Sequence, residues 1–244
     1  ASPEQLHQLL EVAHGRNLNV LLDYVANHVH LDHPVYKQHR DWATSLYLPD
    51  SSLNTERWDD HRLTTWFDTH LPTLDLRRPE VVEPMTDSAL VWMTDFGIDG
   101  FRHDATKHVD LLYWRTLTKK LKKQNQSGQR LYQIGETYGS PDLIASYLGH
   151  GLLDAQFDFN FYDAAVQYCA DLGTDAARMA SVVQNSLNVY GYHHLMGNIS
   201  GNQDKPRFIS LADRNVSPDE DSKLAGYTRN IQAGDTLGYQ RLAL

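Results

Sequence analysis

Four short apolar stretches of this chain run into an ionisable side chain, and helical stretches or an insertion separate them. The stretch 18–23 ends in Asp23, 98–104 in Asp104 and 131–136 in Glu136, while 195–202 leads up to Asp204. A further short strand is predicted over 154–157. The helices between them are marked by their starts. Ser2-Pro3-Glu4-Gln5 supplies a cap, a proline at the first helical position and an acid near the positive end, with Leu6, Leu9, Leu10 and Ala13 at helical spacing and Gly15 closing the helix. Arg78-Pro79-Glu80 opens a second amphipathic helix, a third is predicted over 109–123, and another starts at Ser140-Pro141-Asp142. Helical stretches follow over 160–188, and a last helix begins near Ser217-Pro218-Asp219-Glu220. Strands alternating with helices argue for an α/β fold with a parallel sheet. In an open doubly wound sheet only the switch-point strands share a site, whereas in a (β/α)8 barrel the ends of many strands converge on one face. Four polar strand ends therefore favour the barrel.

The 244 residues are enough for one large domain or two small ones. The stretch from about 28 to 76 has weak periodicity and is rich in His, Asp, Trp and Tyr; a structureless loop of that length is improbable, so it is read as a folded insertion. The expected division is a barrel domain from 1–28 and 77–244 and an inserted domain over 29–76. With 31 acidic against 22 basic side chains, the chain repels nucleic-acid phosphates and suits a neutral or cationic small substrate. The run Lys119-Lys120-Leu121-Lys122-Lys123 reads as the solvated end of a helix. No G-x-G-x-x-G or G-x-x-x-x-G-K-[ST] segment offers a nucleotide cradle. The single cysteine, Cys169, excludes an internal disulfide and a thiolate zinc knot, and no apolar run is long enough to span a membrane. No secretory signal is expected at the N-terminus.

Asp104, Glu136 and Asp204 are the leading catalytic candidates. Two facing carboxylates can cleave an acetal, one attacking carbon and the other protonating the leaving oxygen. Arg102 lies two residues before Asp104, so strand alternation puts both side chains on one side of the sheet, where a guanidinium keeps the aspartate ionised. Each acid alone could simply cap the helix that follows it; three acids and an arginine in this order argue for chemistry. His28-Val29-His30-Leu31-Asp32-His33 invites a rival reading as a metal-dependent barrel hydrolase, but the later strand ends carry acids where such sites need further histidines, and His103 alternates away from Asp104. Among the aromatic residues, Tyr24 and Tyr138 are read as sugar-stacking rings, and Trp42, Tyr47, Trp58, Trp66 and Phe67 as the core of the insertion.

Five segments, in order, resemble the signature segments of the α-amylase family of glycoside hydrolases. These are Asp23-Tyr24-Val25-Ala26-Asn27-His28, Leu71-Pro72-Thr73-Leu74-Asp75, Gly100-Phe101-Arg102-His103-Asp104-Ala105-Thr106-Lys107-His108, Gly135-Glu136-Thr137-Tyr138 and Gly201-Asn202-Gln203-Asp204-Lys205-Pro206-Arg207-Phe208. The resemblance extends over essentially the whole chain. It implies a retaining enzyme acting on α-1,4-linked, or α-1,6-linked or cyclic, starch-derived maltooligosaccharides, with Asp104 as nucleophile, Glu136 as general acid/base and Asp204 holding sugar hydroxyls. Arg102 would orient the nucleophile and His28 would bind the sugar at the cleavage point. Lys107 and His108 would line the leaving-group side, and Tyr24, Gln203 and Arg207 would complete the substrate-binding set. No cofactor is required; calcium is left open, with Asn27 as a candidate ligand or else a brace for its loop through side-chain hydrogen bonds. Gln203 departs from the family's usual histidine: its amide can donate a hydrogen bond but cannot carry a charge, so weakened transition-state stabilisation is expected. The same segment is most similar to neopullulanases and cyclomaltodextrinases of bacterial starch-utilisation systems, which leans towards a periplasmic or secreted protein. The resemblance supplies about strands three to seven of the barrel, with an inserted domain B after strand three. A barrel incomplete at both ends would expose strand edges and is expected to be poorly stable alone. The rival of another class is a catalytically impaired or incomplete glucan-binding protein.

Overall fold

A computed structural model of the chain describes residues 2–124, 131–171, 175–212 and 216–217. They form two compact units, one from residues 1–137 and 146–156, the other from residues 138–145 and 157 onwards. The insertion over 29–76 falls within the first unit, and its strand-like ends are sewn to the segment after the first strand. His28 pairs with Thr73, and Leu74 N–H donates to the Asn27 carbonyl at 2.9 Å.

The first unit is built on a four-stranded, all-parallel sheet in the order β1 (Leu21–Tyr24), β2 (Gly100–His103), β3 (Tyr132–Gly135) and β4 (Ala155–Gln156). Helix α1 (Pro3–His14) starts on the expected cap, with Ser2 and Gln5 exchanging hydrogen bonds at both backbone amides. Gly15 stays right-handed at its end, and the left-handed turn falls on Asn17 instead. The short α2 (Pro34–Gln38) lies in the insertion. Helix α3 (Pro79–Val91) continues as a wide π-turn over Trp92–Phe96, which Gly97 closes at φ 77°, a conformation that costs glycine nothing. Helix α4 (Leu111–Gln124) is capped by Asp110, whose Oδ1 accepts from Leu112 N–H at 2.8 Å. It packs on α3, and Tyr113, Trp114, Leu117 and Leu121 of α4 and Val81, Val82 and Ala89 of α3 are all buried. Within the lysine run, Lys120 is not simply solvated: it reaches Glu83 and Asp87 of α3, each at 2.7 Å.

His103 lies in this core rather than at the sheet's functional end, stacked on Phe101 and hydrogen-bonded to Gln133 at 3.1 Å. Burial depresses it to about 4, so it is neutral at physiological pH. Gly100 sits where the backbone of β3 comes closest, and a Cβ there would collide with the Tyr132 carbonyl. Gly100→Ala is therefore expected to destabilise the chain by about 1–3 kcal/mol, read as a lower urea midpoint, because two backbones rather than a side chain must move apart.

The second unit comprises α5 (Pro141–Ala145), α6 (Phe159–Ala165) with a π-turn over Val166–Asp171, α7 (Ala176–Tyr190) and α8 (Phe208–Ala212). Phe159, Tyr162, Val166, Ala170, Leu211, Ala212 and Val216 form its core. The strand expected over 195–202 is reduced to one parallel bridge, between Gly197 and Phe157. Gly197, Asn198, Ser200 and Gly201 are poor strand formers, and Leu195 is exposed, so nothing holds a longer ladder. The helix expected near Ser217-Pro218 extends outside the described residues. Among the described residues, no helix is long and apolar enough to cross a membrane.

Candidate active site

The site lies just past the carboxyl ends of the central strands. Asp104 follows β2 and Glu136 follows β3. Parallel pairing continues beyond both strands: Asp104 N–H donates to the Tyr24 carbonyl at 3.1 Å and Glu136 N–H to the His103 carbonyl at 2.9 Å. The buried Thr106 stitches the two loops, its hydroxyl donating to the His103 carbonyl and accepting from Glu136 N–H, both at 3.0 Å. Between Asp104 and Thr106 the chain turns through Ala105 at φ 49°, a left-handed conformation that a non-glycine residue seldom adopts.

Arg102 reads all of this geometry at once. Its Nη1 lies 2.7 Å from Asp104 Oδ1 and 2.9 Å from Asp23 Oδ1, and its Nη2 lies 2.6 Å from Glu136 Oε2. The side chains of Arg102 and Glu136 are each 14% exposed and that of Asp104 is 23% exposed. Burial alone would lower the arginine's proton affinity, but Glu136, Asp104 and Asp23 together outweigh it and raise it. One guanidinium thus contacts three carboxylates side by side.

The insertion supplies a wall of rings beside these acids. Phe67 stacks on His28 with centroids 4.6 Å apart and meets Trp58 edge-on at 4.6 Å; both also pack against His108. Trp66 is buried as expected of core, while Trp58 and Phe67 are partly exposed and also pack against His28 and His108 outside the insertion. Their spacing in sequence carried no sign of this; the wall forms only because Arg62 docks the insertion onto the loop after β2. Arg62 Nη1 donates to the Lys107 carbonyl at 2.6 Å and to the buried Tyr147 hydroxyl at 2.9 Å, and His108 Nδ1 donates to the Arg62 carbonyl at 2.8 Å. Burial lowers His108 to about 4, against the pull of that hydrogen bond, and lowers His28 against the pull of Asp104. Both imidazoles are neutral at physiological pH and can donate from one nitrogen while accepting at the other. Lys107 keeps its ammonium 3.5 Å from Asp59. Tyr24 packs its ring edge against Phe101, half-buried at the end of β1.

Asp204, Gln203 and Arg207 belong to the second unit. There Asp204 N–H donates to Asn202 Oδ1 at 3.0 Å, Gln203 Nε2 lies 3.3 Å from Asp204 Oδ2, and all three side chains are exposed. Tyr138, in the same unit, carries the Lys205 ammonium 4.4 Å above its ring and donates to Asp163 at 3.2 Å. Two of the histidines that suggested a metal are used locally: His33 accepts from Val35 N–H and His30 from Asp32 N–H. Among the described residues no group of three or more His, Cys, Asp or Glu side chains could hold a metal ion. Asn27 Oδ1 is buried without a partner, but its amide faces the Thr73 hydroxyl rather than a carboxylate. One amide oxygen does not meet the six to eight oxygen ligands calcium takes.

Carboxylates gathered at the carboxyl ends of parallel strands, with a ring-lined insertion beside them, define a site of the (β/α)-barrel class. The chain belongs to the Alpha-amylase family: the family's "Alpha amylase, catalytic domain" matches residues 2–240. It is 26% identical over 219 residues to the intracellular maltogenic amylase of Bacillus subtilis (strain 168), covering 85% of this chain and 35% of that protein. It is 25% identical over 224 residues to the cyclomaltodextrinase of Geobacillus thermopakistaniensis, covering 87% and 36%. Among solved structures, an Anoxybacillus alpha-amylase superposes with a TM-score of 0.76 at 28% identity, over 88% of this chain and 46% of that one. The alpha-amylase of Geobacillus thermoleovorans, solved with acarbose, gives 0.75 at 29% identity, over 88% and 47%. The chain spans about a third of the length of the curated relatives it matches.

Proposed function

We propose that this chain carries the catalytic carboxylates of a retaining glycoside hydrolase that cleaves α-1,4-glucosidic bonds, with α-1,6 or cyclic substrates open to it, in starch-derived maltooligosaccharides. The observation that carries the reading is the Arg102 fork, which holds Asp104 and Glu136 on adjacent nitrogens of one guanidinium. Two carboxyls that share one guanidinium favour the short spacing of retaining enzymes, about 5–5.5 Å, over the 6.5–9.5 Å that leaves room for a water in inverting ones. Names of the relatives, an amylase and a cyclomaltodextrinase, support the substrate class.

In this reading Asp104, oriented by Arg102, attacks the anomeric carbon. The bond to the leaving oxygen breaks as Glu136 gives that oxygen a proton, and Glu136 then takes a proton from the water that releases the sugar. To act as the acid, Glu136 must first leave its contact with Arg102 and take up a proton from solvent, which a sugar ring wedged between the two can bring about. Neutral His28 binds a hydroxyl of the ring being cleaved, and the faces of Phe67 and Trp58 receive its apolar side. Lys107 and His108 serve the leaving group and Tyr24 the substrate ring; for Asp204, Gln203 and Arg207 a role with sugar hydroxyls rests on the family resemblance alone.

The test is maltoheptaose cleavage followed by proton NMR from the first minute. The expected product is the α-anomer, mutarotating later to the equilibrium mixture. Initial β-anomer would refute the retaining assignment. Absence of cleavage by the whole protein would favour the glucan-binding rival.

A further inference from the structure

A second cavity, of about 500 Å³, opens on the insertion and shares no residue with the Asp104 site. Tyr47 stands at its rim with 58% of its surface exposed, so its ring is accessible to a ligand in the cavity. The ring has a rigid base. Ser45 Oγ donates to the Tyr47 carbonyl at 2.6 Å and accepts from Tyr47 N–H at 3.1 Å. Leu48 N–H donates to the Ser52 carbonyl, and Ser51 N–H returns to the Leu48 carbonyl, each at 2.9 Å. Tyr47 also pairs with Leu53, and the tight return is made by Ser51 at φ 67°. Such a platform loses little freedom when something stacks on it.

The same cavity is lined by Asp75 and Arg77, joined as a fork: Arg77 Nε lies 2.6 Å from Asp75 Oδ1, and Nη2 lies 3.0 Å from Oδ2. This pair selects the chemistry of the occupant. An anion would face the Asp75 carboxylate and a cation the Arg77 guanidinium. A neutral polyol, with adjacent hydroxyls that both donate and accept, satisfies both partners. Leu48 and Pro49 add apolar surface beside the ring. A ring platform, a neutralised donor–acceptor fork and apolar flanks together match the two faces of a sugar.

We propose that this cavity is a second binding site for a neutral oligosaccharide, separate from the catalytic carboxylates. The choice of α-glucan as its ligand rests on the proposed function; the cavity's preference for a neutral polyol does not. It would hold the polymer to the protein while another stretch of chain enters the cleft.

The experiment is calorimetric titration of maltoheptaose into the protein carrying Asp104→Asn, so that the ligand is not consumed. Two independent sites are expected. Adding Tyr47→Ala should remove one, by about a tenfold loss of affinity, while Tyr47→Phe, which keeps the ring face, should retain both. An unchanged urea midpoint for Tyr47→Ala shows that the fold is intact. Two sites in both proteins, or one site that Tyr47→Ala leaves untouched, would overturn the inference and leave the catalytic reading standing. One site that Tyr47→Ala abolishes would support this cavity and count against the catalytic cleft as a glucan site. No binding at all would overturn both.

Discussion

Asp104→Asn is expected to reduce turnover of maltooligosaccharide by about 10⁴-fold or more with little change in stability. In the proposed mechanism Asp104 is the covalent nucleophile, and losing it removes the low-barrier route. Asparagine has the same shape, still accepts a hydrogen bond from Arg102 through its amide oxygen, and leaves Thr106 to hold the loop. The fold therefore keeps its geometry while losing its reactive charge. Glu136→Gln should behave differently. It should cost about 10²–10⁴-fold on a natural glucan, the usual contribution of a general acid, but far less on an activated glycosyl fluoride whose leaving group needs no proton. The alkaline limb of the pH profile, which reports deprotonation of the acid, should disappear with it. Equal losses on both substrates, or no loss for Asp104→Asn, would show that the two acids do not divide the work this way.

Those two residues were legible because strand alternation and strand-end position are local properties. Arg102 and Asp104 had to share a side of the sheet, and His103 had to turn into the core, where it meets Gln133. Helix starts at Ser2-Pro3 and Pro79 were equally local, because a cap is written in a few consecutive residues. What depended on the pairing of distant segments was not legible. Arg102 takes Glu136 and Asp23 as well as Asp104 only because β1, β2 and β3 align with Asp23 beside Arg102 and His103 beside Gly135. Trp58 and Phe67 became a wall, and Tyr47 an exposed platform, through the docking of Arg62 and the turn at Ser51, neither of which has a periodic signature. The strand expected over 195–202 failed for the opposite reason. Its apolar residues suggested a strand, but strand formation is decided by partners, and it has one bridge.

The largest effect on stability and activity together should come from Arg102. In Arg102→Met, three carboxylates remain crowded with no cation among them, two of them mostly shielded from water. Removing one partner from a buried ion pair typically costs about 3–5 kcal/mol; because Asp23 is 64% exposed and solvated, the low end, about 3 kcal/mol at pH 7, is expected. The pH dependence fixes the cause. Without the arginine, repulsion and burial raise the folded-state proton affinity of these acids above their unfolded values. The folded variant then binds protons the unfolded chain does not, so it gains stability relative to the parent as pH falls through the carboxylate range, and the deficit widens as pH rises towards 7. Urea unfolding at pH 4.5 and at pH 7 should therefore show a smaller gap at the lower pH. Arg102→Lys separates charge from shape. A lysine restores one positive charge, but its ammonium lacks the planar fork, so stability should largely return while turnover stays about 10²-fold down. A Met variant whose deficit is the same at both pH values would mean that lost packing of the arginine stem, not carboxylate crowding, is what the site depends on.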